Sequence, residues 1–131
     1  MKLLLDTHIL IWWMNGSDQL PAKLRRILRR ARHTPPVFVS DISLWETAVL
    51  VELGRIELDM PLQEWLERAS AAPLVERVGI TPAVAAETTR LPADFHRDPA
   101  DRILAATARA LGLRLMTVDQ RLIRSAAVPV V

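Results

Sequence analysis

Short apolar runs alternate along the chain with stretches in which apolar residues recur every three or four positions. The short runs predict buried strands, and the longer periodic stretches predict helices. The predicted strands cover residues 2–5, 37–40, 74–78, 113–118 and 128–131. The predicted helices cover residues 7–14, 20–32, 42–53, 61–71, 82–91, 98–111 and 120–126. Strands that alternate with helices indicate an α/β fold with a mainly parallel sheet.

Local signals support these boundaries and divide the chain no further. Asp98 followed by Pro99 is typical of a helix start, with the aspartate as N-cap and the proline in the first turn. Gly54 and Gly112 stand where a glycine ends a helix. No internal repeat or change of composition marks a second unit, so residues 1–131 are expected to form one domain.

The composition is typical of a globular protein and is compatible with a reducing compartment. Half of the residues are hydrophobic and 24% are charged, a balance that favours a packed core over disorder. The absence of cysteine excludes disulfides, thiolate metal sites and thiol catalysis. The longest uncharged stretch, residues 7–17, is shorter than the about 20 residues that a membrane helix needs. No signal-peptide pattern follows Lys2, so we expect a cytoplasmic protein without membrane contact.

Charge is nearly balanced overall but concentrated locally. Seventeen Lys and Arg against fifteen Asp and Glu give a net charge of +2. One short segment carries six of the basic residues, namely Lys23, Arg25, Arg26, Arg29, Arg30 and Arg32. These residues form either the solvated face of an amphipathic helix or a patch that attracts a polyanion, and the sequence leaves both interpretations open.

Acidic residues follow two of the predicted strands. Asp6 comes directly after the first strand, and Asp119 comes directly after the strand predicted over 113–118. In parallel sheets, ligands bind beyond the carboxyl ends of the strands, so both carboxylates stand where a site is expected. The alternative for each is a helix cap or a turn, which is a common use of aspartate after a strand.

Glu46 lies on an apolar helix face rather than a polar one. The positions that share its face are Ile42, Val49, Leu50 and Leu53. A carboxylate buried there without a partner is costly, so it needs a hydrogen-bond donor, an arginine or a cation. The alternative is that Glu46 lies at the edge of a helix that is apolar nearly all round.

Another pair of acids begins the helix predicted over 98–111. Capping by Asp98 and Asp101 would satisfy free backbone N–H groups and complement the helix dipole, which is enough to explain both residues. Capping does not explain the helix face of small residues that follows, with alanine at positions 105, 106 and 108. Such a face lets the helix approach the sheet closely, so we expect Asp101 to point toward the strand ends.

Three or four converging carboxylates without cysteine or a histidine cluster form an all-oxygen site. Such donors suit Mg²⁺ or Mn²⁺ rather than zinc, and the matching chemistry is phosphodiester hydrolysis. With the four clustered acids set apart, seventeen basic residues remain against eleven acids, a surround that suits RNA. Arg97 and Arg102 flank the expected site and are candidates either for phosphate contacts or for pairing with neighbouring acids.

Four blocks of the sequence carry a family resemblance. They are LLDTHILIWW at 4–13, SDISLWE at 40–46, HRDPADRILAA at 96–106 and LMTVD at 115–119. Together, in this order and spacing, they resemble the PIN-domain family and, more narrowly, the VapC-type toxins of bacterial toxin–antitoxin pairs. The resemblance implies a PIN-like three-layer α/β fold, with a mainly parallel central sheet flanked by helices.

The same resemblance implies an activity, its residues and its partners. The implied residues are the catalytic metal ligands Asp6, Glu46, Asp101 and Asp119, with Thr7, Thr117 and Asp98 in supporting positions. The activity would be that of a Mg²⁺- or Mn²⁺-dependent endoribonuclease that cleaves structured RNA, often tRNA or ribosomal RNA. The implied partners are a second copy of the chain, in a homodimer, and a small antitoxin protein that neutralises the enzyme.

Other functional classes fit the sequence less well. A phosphoacceptor signalling module would need a lysine after a late strand, yet the lysines are Lys2 and Lys23. A haloacid-dehalogenase-type phosphatase would need Asp-x-Asp after the first strand, where Asp6 is followed by Thr7 and His8. The remaining alternative is a catalytically silent PIN-fold binding or regulatory protein, which a metal-dependent cleavage assay would separate from a nuclease.

Overall fold

A computed structural model describes residues 2–31 and 36–131 of the chain. Its strands are β1 (Leu3–Leu5), β2 (Val37–Ser40), β3 (Val75–Val78) and β4 (Arg114–Met116). Its helices are α1 (Thr7–Asn15), α2 (Ala22–Ala31), α3 (Asp41–Glu52), α4 (Leu62–Ala69), α5 (Pro82–Thr88), α6 (Pro99–Leu111) and α7 (Gln120–Arg124). No helix within these two ranges is long and apolar enough to cross a membrane.

The four strands form a parallel sheet in the order β3-β2-β1-β4. Leu4 in the centre of β1 lies opposite Phe38 of β2 on one side and Leu115 of β4 on the other. Because every pairing between these strands is parallel, their carboxyl ends meet at one edge of the sheet. The predicted α/β class is therefore confirmed, and β1 leads directly into Asp6 at the edge where ligands are expected.

Successive residues of β1 bury their side chains on opposite faces of the sheet. Leu3 and Leu5 pack with α1, α2 and Trp65 of α4, whereas Leu4 packs with α6 and α7. Helices therefore cover both faces, which gives the three layers that the sequence predicts. The three alanines expected to face the sheet from α6 are fully buried, so this helix approaches the sheet as predicted.

The last predicted strand is wrong. Instead of a strand over 128–131, the structure has a single bridge between Leu115 and Val130. The backbone N–H of Leu115 donates to the Pro129 carbonyl at 2.8 Å, and the Val131 N–H donates back to the Leu115 carbonyl at 3.0 Å, but Pro129 has no N–H with which to continue the pairing. The ladder therefore cannot extend, although the side chain of Val128 is still buried.

Several elements are shorter than the hydrophobic pattern predicts. β4 ends at Met116 rather than at 118, and α5 ends at Thr88 rather than at 91. Apolar residues beyond an element's last turn can still reach the core, as Leu91 does, and they extend the periodic pattern past the helix end. The predicted end of the second helix, at residue 32, lies outside the described residues.

Candidate active site

Five carboxylates line one open cavity at the carboxyl ends of the strands. The cavity has a volume of about 330 Å³. Its acidic lining consists of Asp6, Glu46, Asp98, Asp101 and Asp119, and its other lining residues are His8, Trp12, Val118 and Arg121. The acids come from four separate parts of the chain, so it is the fold that brings the four candidate ligands and Asp98 together.

Asp6 is a buried carboxylate held from two sides. It is the N-cap of α1, and its Oδ1 accepts a hydrogen bond from the Thr7 N–H at 2.8 Å. Its Oδ2 accepts a hydrogen bond from the Thr117 hydroxyl at 2.6 Å. Burial raises the pKa of this carboxyl, and the two hydrogen bonds only partly oppose that increase. The helix cap considered as the alternative for Asp6 is observed, and the residue also lines the cavity.

Glu46 projects from α3 into the same cavity and is half-buried. Burial raises the pKa of its carboxyl, the Thr7 hydroxyl lowers it by hydrogen bonding, and the nearby charges of Asp6 and Asp101 raise it further. Leu53, expected on the same buried stripe, is 58% exposed. The buried apolar face of α3 therefore does not extend to its end. Glu46 lies close enough to the other acids for their charges to affect its pKa.

Asp98 and Asp101 have different roles at the start of α6. Asp98 is the predicted N-cap, and its Oδ1 accepts a hydrogen bond from the Asp101 N–H at 3.1 Å. The side chain of Asp101 is free of that capping role, and the residue is only 8% exposed. Its Oδ2 lies 2.8 Å from His96 Nε2, and the His96 ring stacks on Phe95 with 4.7 Å between centroids. Burial raises the pKa of Asp101, against the effect of the His96 contact.

Asp119 differs from the other acids because one arginine side chain donates to both of its carboxylate oxygens. It caps α7, and its Oδ1 accepts hydrogen bonds from the Arg121 N–H at 2.8 Å and from Arg121 Nε at 3.4 Å. Its Oδ2 lies 3.1 Å from Arg121 Nη2, which is also 3.6 Å from Asp101 Oδ2. The bound guanidinium lowers the pKa of Asp119, whereas the pKa values of Asp6, Glu46 and Asp101 are raised.

Two buried threonines connect the acids. The Thr117 hydroxyl donates to Asp6 and accepts from the Asp119 N–H at 3.0 Å, so it joins the ends of β1 and β4. The Thr7 hydroxyl lies 2.9 Å from Ser43 Oγ on α3, and it lowers the pKa of Glu46. Both side chains therefore stand beside the candidate ligands, where the resemblance places supporting residues.

The two arginines considered for RNA contacts lie elsewhere. Arg97 and Arg102 line a neighbouring depression of about 400 Å³ between α5 and α6, together with Ile80, Thr88 and Ile103 among others. Arg102 Nη2 donates to the Thr88 carbonyl at 3.1 Å, and its guanidinium lies 5.9 Å from the Phe95 ring centroid. A role for these arginines in RNA binding stays a prediction, but neither lines the acidic cavity.

Sequence reasoning missed Arg121, which lines the acidic cavity. The signal for Arg121 is its position two residues after a capping aspartate, from which a long side chain can fold back over the cap. Arg102 was misplaced because it follows Asp101 directly on α6. Neighbouring residues on a helix point about 100° apart, so Arg102 turns toward α5 when Asp101 faces the cavity.

The donor chemistry of the cavity fits a hard divalent cation. Its acids offer only carboxylate oxygens, the ligands that Mg²⁺ and Mn²⁺ prefer. Their mutual repulsion contributes to the raised pKa values of Asp6, Glu46 and Asp101, and a cation would relieve it. In the described part of the chain, no three His, Cys, Asp or Glu side chains are already grouped closely enough to hold a metal ion.

Comparison with known proteins identifies the family. The family model described as PIN domain matches residues 3–128. The chain belongs to the PIN domain family. Ribonuclease VapC22 of Mycobacterium tuberculosis (strain ATCC 25618 / H37Rv) is 41% identical over 120 residues, which cover 92% of this chain and 88% of that protein. This relative confirms the resemblance to VapC-type members.

Solved structures share the PIN domain fold at low sequence identity. A crystal structure of VapBC2 from Rickettsia felis, bound to a DNA fragment from its promoter, matches with a TM-score of 0.73 and 15% identity over 100% of this chain and 98% of that chain. DNA-bound VapBC from Salmonella typhimurium matches with a TM-score of 0.71 and 19% identity, over 100% and 97% of the two chains. The three-layer α/β fold of this PIN domain is therefore confirmed.

Proposed function

We propose that this PIN domain chain is a metal-dependent endoribonuclease and the toxin of a toxin–antitoxin pair. The observation that carries the proposal is the convergence of Asp6, Glu46, Asp101 and Asp119 on one cavity. The identity to a relative named as a ribonuclease supports the reaction. The proteins of the same fold that occur in VapBC complexes support an antitoxin partner.

In this proposal the four acids hold Mg²⁺ or Mn²⁺, and the chemistry supplied by the bound cation is Lewis-acid activation of the phosphodiester and of water. The chain's own part is to position the ligands. Thr117 fixes Asp6 relative to the backbone of Asp119, and His96 restricts the rotation of Asp101. Such supporting contacts are commonly worth about 10–100-fold in metal affinity or activity.

The proposed substrate is structured RNA, such as tRNA or ribosomal RNA, cleaved in the cytoplasm by a homodimer. Basic side chains of α2, including Lys23, Arg26, Arg29 and Arg30, are exposed and suit a polyanion. Arg97 is exposed as well and is free to contact a phosphate. Arg102 is already engaged by Thr88, so we expect the smaller contribution from it.

The proposal is tested by RNA cleavage in the presence of Mg²⁺, with Asp6→Asn as the matched variant. The substitution keeps the side-chain size and an oxygen for the Thr7 N–H but removes the charge. We expect bulk tRNA or a structured ribosomal RNA fragment to be cleaved by the wild type and not by the variant. No cleavage by either protein, with RNA bound by both, would favour the catalytically silent alternative.

The cognate antitoxin is expected to inhibit by placing an arginine in the acidic cavity. A guanidinium pairs with carboxylates in a bidentate way, and Arg121 already shows such a pairing with Asp119. Apolar residues beside the cavity offer an anchor for the rest of the inhibitor, because Trp12 lines the cavity and Trp45 is 60% exposed. Replacing that antitoxin arginine with alanine should restore cleavage more than it weakens the complex.

Cleavage and complex affinity are measured on the same preparations of toxin and antitoxin. An antitoxin lysine-to-alanine substitution outside the inhibitory segment serves as the control for lost charge. Inhibition that survives loss of every arginine in that segment would contradict this mechanism and leave the nuclease proposal standing.

A further inference from the structure

An arginine of the chain itself lies on the rim of the acidic cavity in a fixed orientation. Arg121 approaches Asp119 sideways, through Nε at 3.4 Å and Nη2 at 3.1 Å. Asp101 Oδ2 lies 3.6 Å from the same Nη2. The backbone N–H of Arg121 is also held, because it donates to Asp119 Oδ1 at 2.8 Å.

This sideways pairing leaves Nη1 of the guanidinium available. Within residues 2–31 and 36–131, Arg121 Nη1 makes no hydrogen bond, and the side chain is 60% exposed. Nη1 of a guanidinium carries two N–H donors and part of the positive charge, so it can donate charge-assisted hydrogen bonds to phosphate oxygens. Arg121 therefore offers an oriented anion contact beside the carboxylates.

The cavity needs such a contact if it is to receive a phosphodiester. Its lining includes five carboxylates, which repel the negative charge of an RNA backbone. In the described part of the chain, Arg121 is the one lining residue with a permanent positive charge. Arg97 and Arg102 line the depression between α5 and α6 instead.

We infer that Arg121 is the residue that binds the substrate phosphate at the acidic cavity, held in place by Asp119. This inference rests on the proposed nuclease function and assigns one residue to its substrate. Asp119 then has two tasks, since it faces the cavity and fixes the guanidinium plane. Asp101, the second acid near Nη2, keeps the guanidinium directed toward the cavity.

The test is RNA binding without cleavage. Glu46→Gln serves as the background because Glu46 is one of the two candidate ligands without a contact to Arg121, and its loss should stop the reaction. The probe is a fluorescein-labelled RNA hairpin with a single-stranded loop, followed by anisotropy in Mg²⁺ at several salt concentrations. Arg121→Ala, Arg121→Lys and Arg124→Ala are compared in this background.

Arg124 provides the matched control because it is an exposed arginine on the same helix that does not line the acidic cavity. We expect Arg121→Ala to raise the Kd by about tenfold, the size of a hydrogen bond to a charged group. The slope of log Kd against log salt should fall by about one, as for one lost phosphate contact. Arg124→Ala should have a small effect, and Arg121→Lys an intermediate one, since it keeps the charge but not the fork.

Equal effects of Arg121→Ala and Arg124→Ala would overturn the inference, as would tighter RNA binding by Arg121→Ala. Arg121→Gln, which keeps the long polar side chain, replaces Arg121→Ala if the alanine variant fails to fold by circular dichroism. Wild-type cleavage of RNA in Mg²⁺ is measured alongside. If the wild type cleaves while Arg121 has no special effect, this assignment fails alone; if the wild type does not cleave, the proposed function fails.

Discussion

Chelation of divalent cations with EDTA is expected to abolish RNA cleavage by this PIN domain. Burial raises the pKa values of Asp6, Glu46 and Asp101, and the neighbouring carboxylates raise them further. Three such groups in one cavity do not by themselves attract a phosphodiester. A hard divalent cation removes the repulsion and supplies the Lewis acid that the side chains lack. Activity should return when Mg²⁺ or Mn²⁺ is added in excess of the chelator.

The same cation should stabilise the folded protein. A ligand that binds only the folded state adds about 2.7 kcal/mol to the free energy of unfolding at one hundred times its Kd. We therefore expect the Tm to rise with Mg²⁺ concentration, and we expect Asp101→Asn to reduce that rise. Monovalent salt at equal ionic strength is the control, because it screens repulsion without occupying a site. Full cleavage in EDTA would refute the metal-dependent reaction.

Most of the fold was predictable because its signals are local. The central strand β1 is a short apolar run and shows why this works, since Leu3, Leu4 and Leu5 are all buried between two helical layers. The failures occurred where tertiary contacts decide the outcome. The segment over 128–131 has the composition of a strand, but Pro129 prevents it from pairing beyond one bridge.

The acids of the site were predictable for a different reason. Parallel strands place their carboxyl ends together, so residues after β1 and β4 had to meet, whatever the exact ends of the strands. The orientation of long side chains does not follow from such a rule. Arg121 and Arg102 are both arginines near the site in sequence, yet one folds over Asp119 and the other binds the Thr88 carbonyl. Helix rotation and capping decide between them.

Asp101→Asn is expected to remove nearly all cleavage, while Asp98→Asn leaves most of it. The two residues lie three positions apart and line the same cavity, so the pair tests individual roles within one site. Asp98 accepts the Asp101 N–H as an N-cap, and asparagine caps a helix about as well as aspartate. Asp101 makes no cap and directs its carboxylate beside His96 into the cavity. Asp101→Asn should therefore reduce cleavage by more than the about 10–100-fold that removal of a supporting residue costs.

Stability measurements show whether lost activity in these variants reflects lost folding. Because the folded-state pKa of Asp101 is raised, its ionised form costs stability above the usual pKa of an aspartate, and the cost persists at neutral pH. Asp101→Asn should therefore be at least as stable as the wild type without metal, and less active. Glu46→Gln should behave in the same way, since burial raises its pKa too. If Asp98→Asn stopped cleavage and Asp101→Asn did not, the ligand and the cap would have to be exchanged, because both side chains reach the cavity but only a ligand needs its charge.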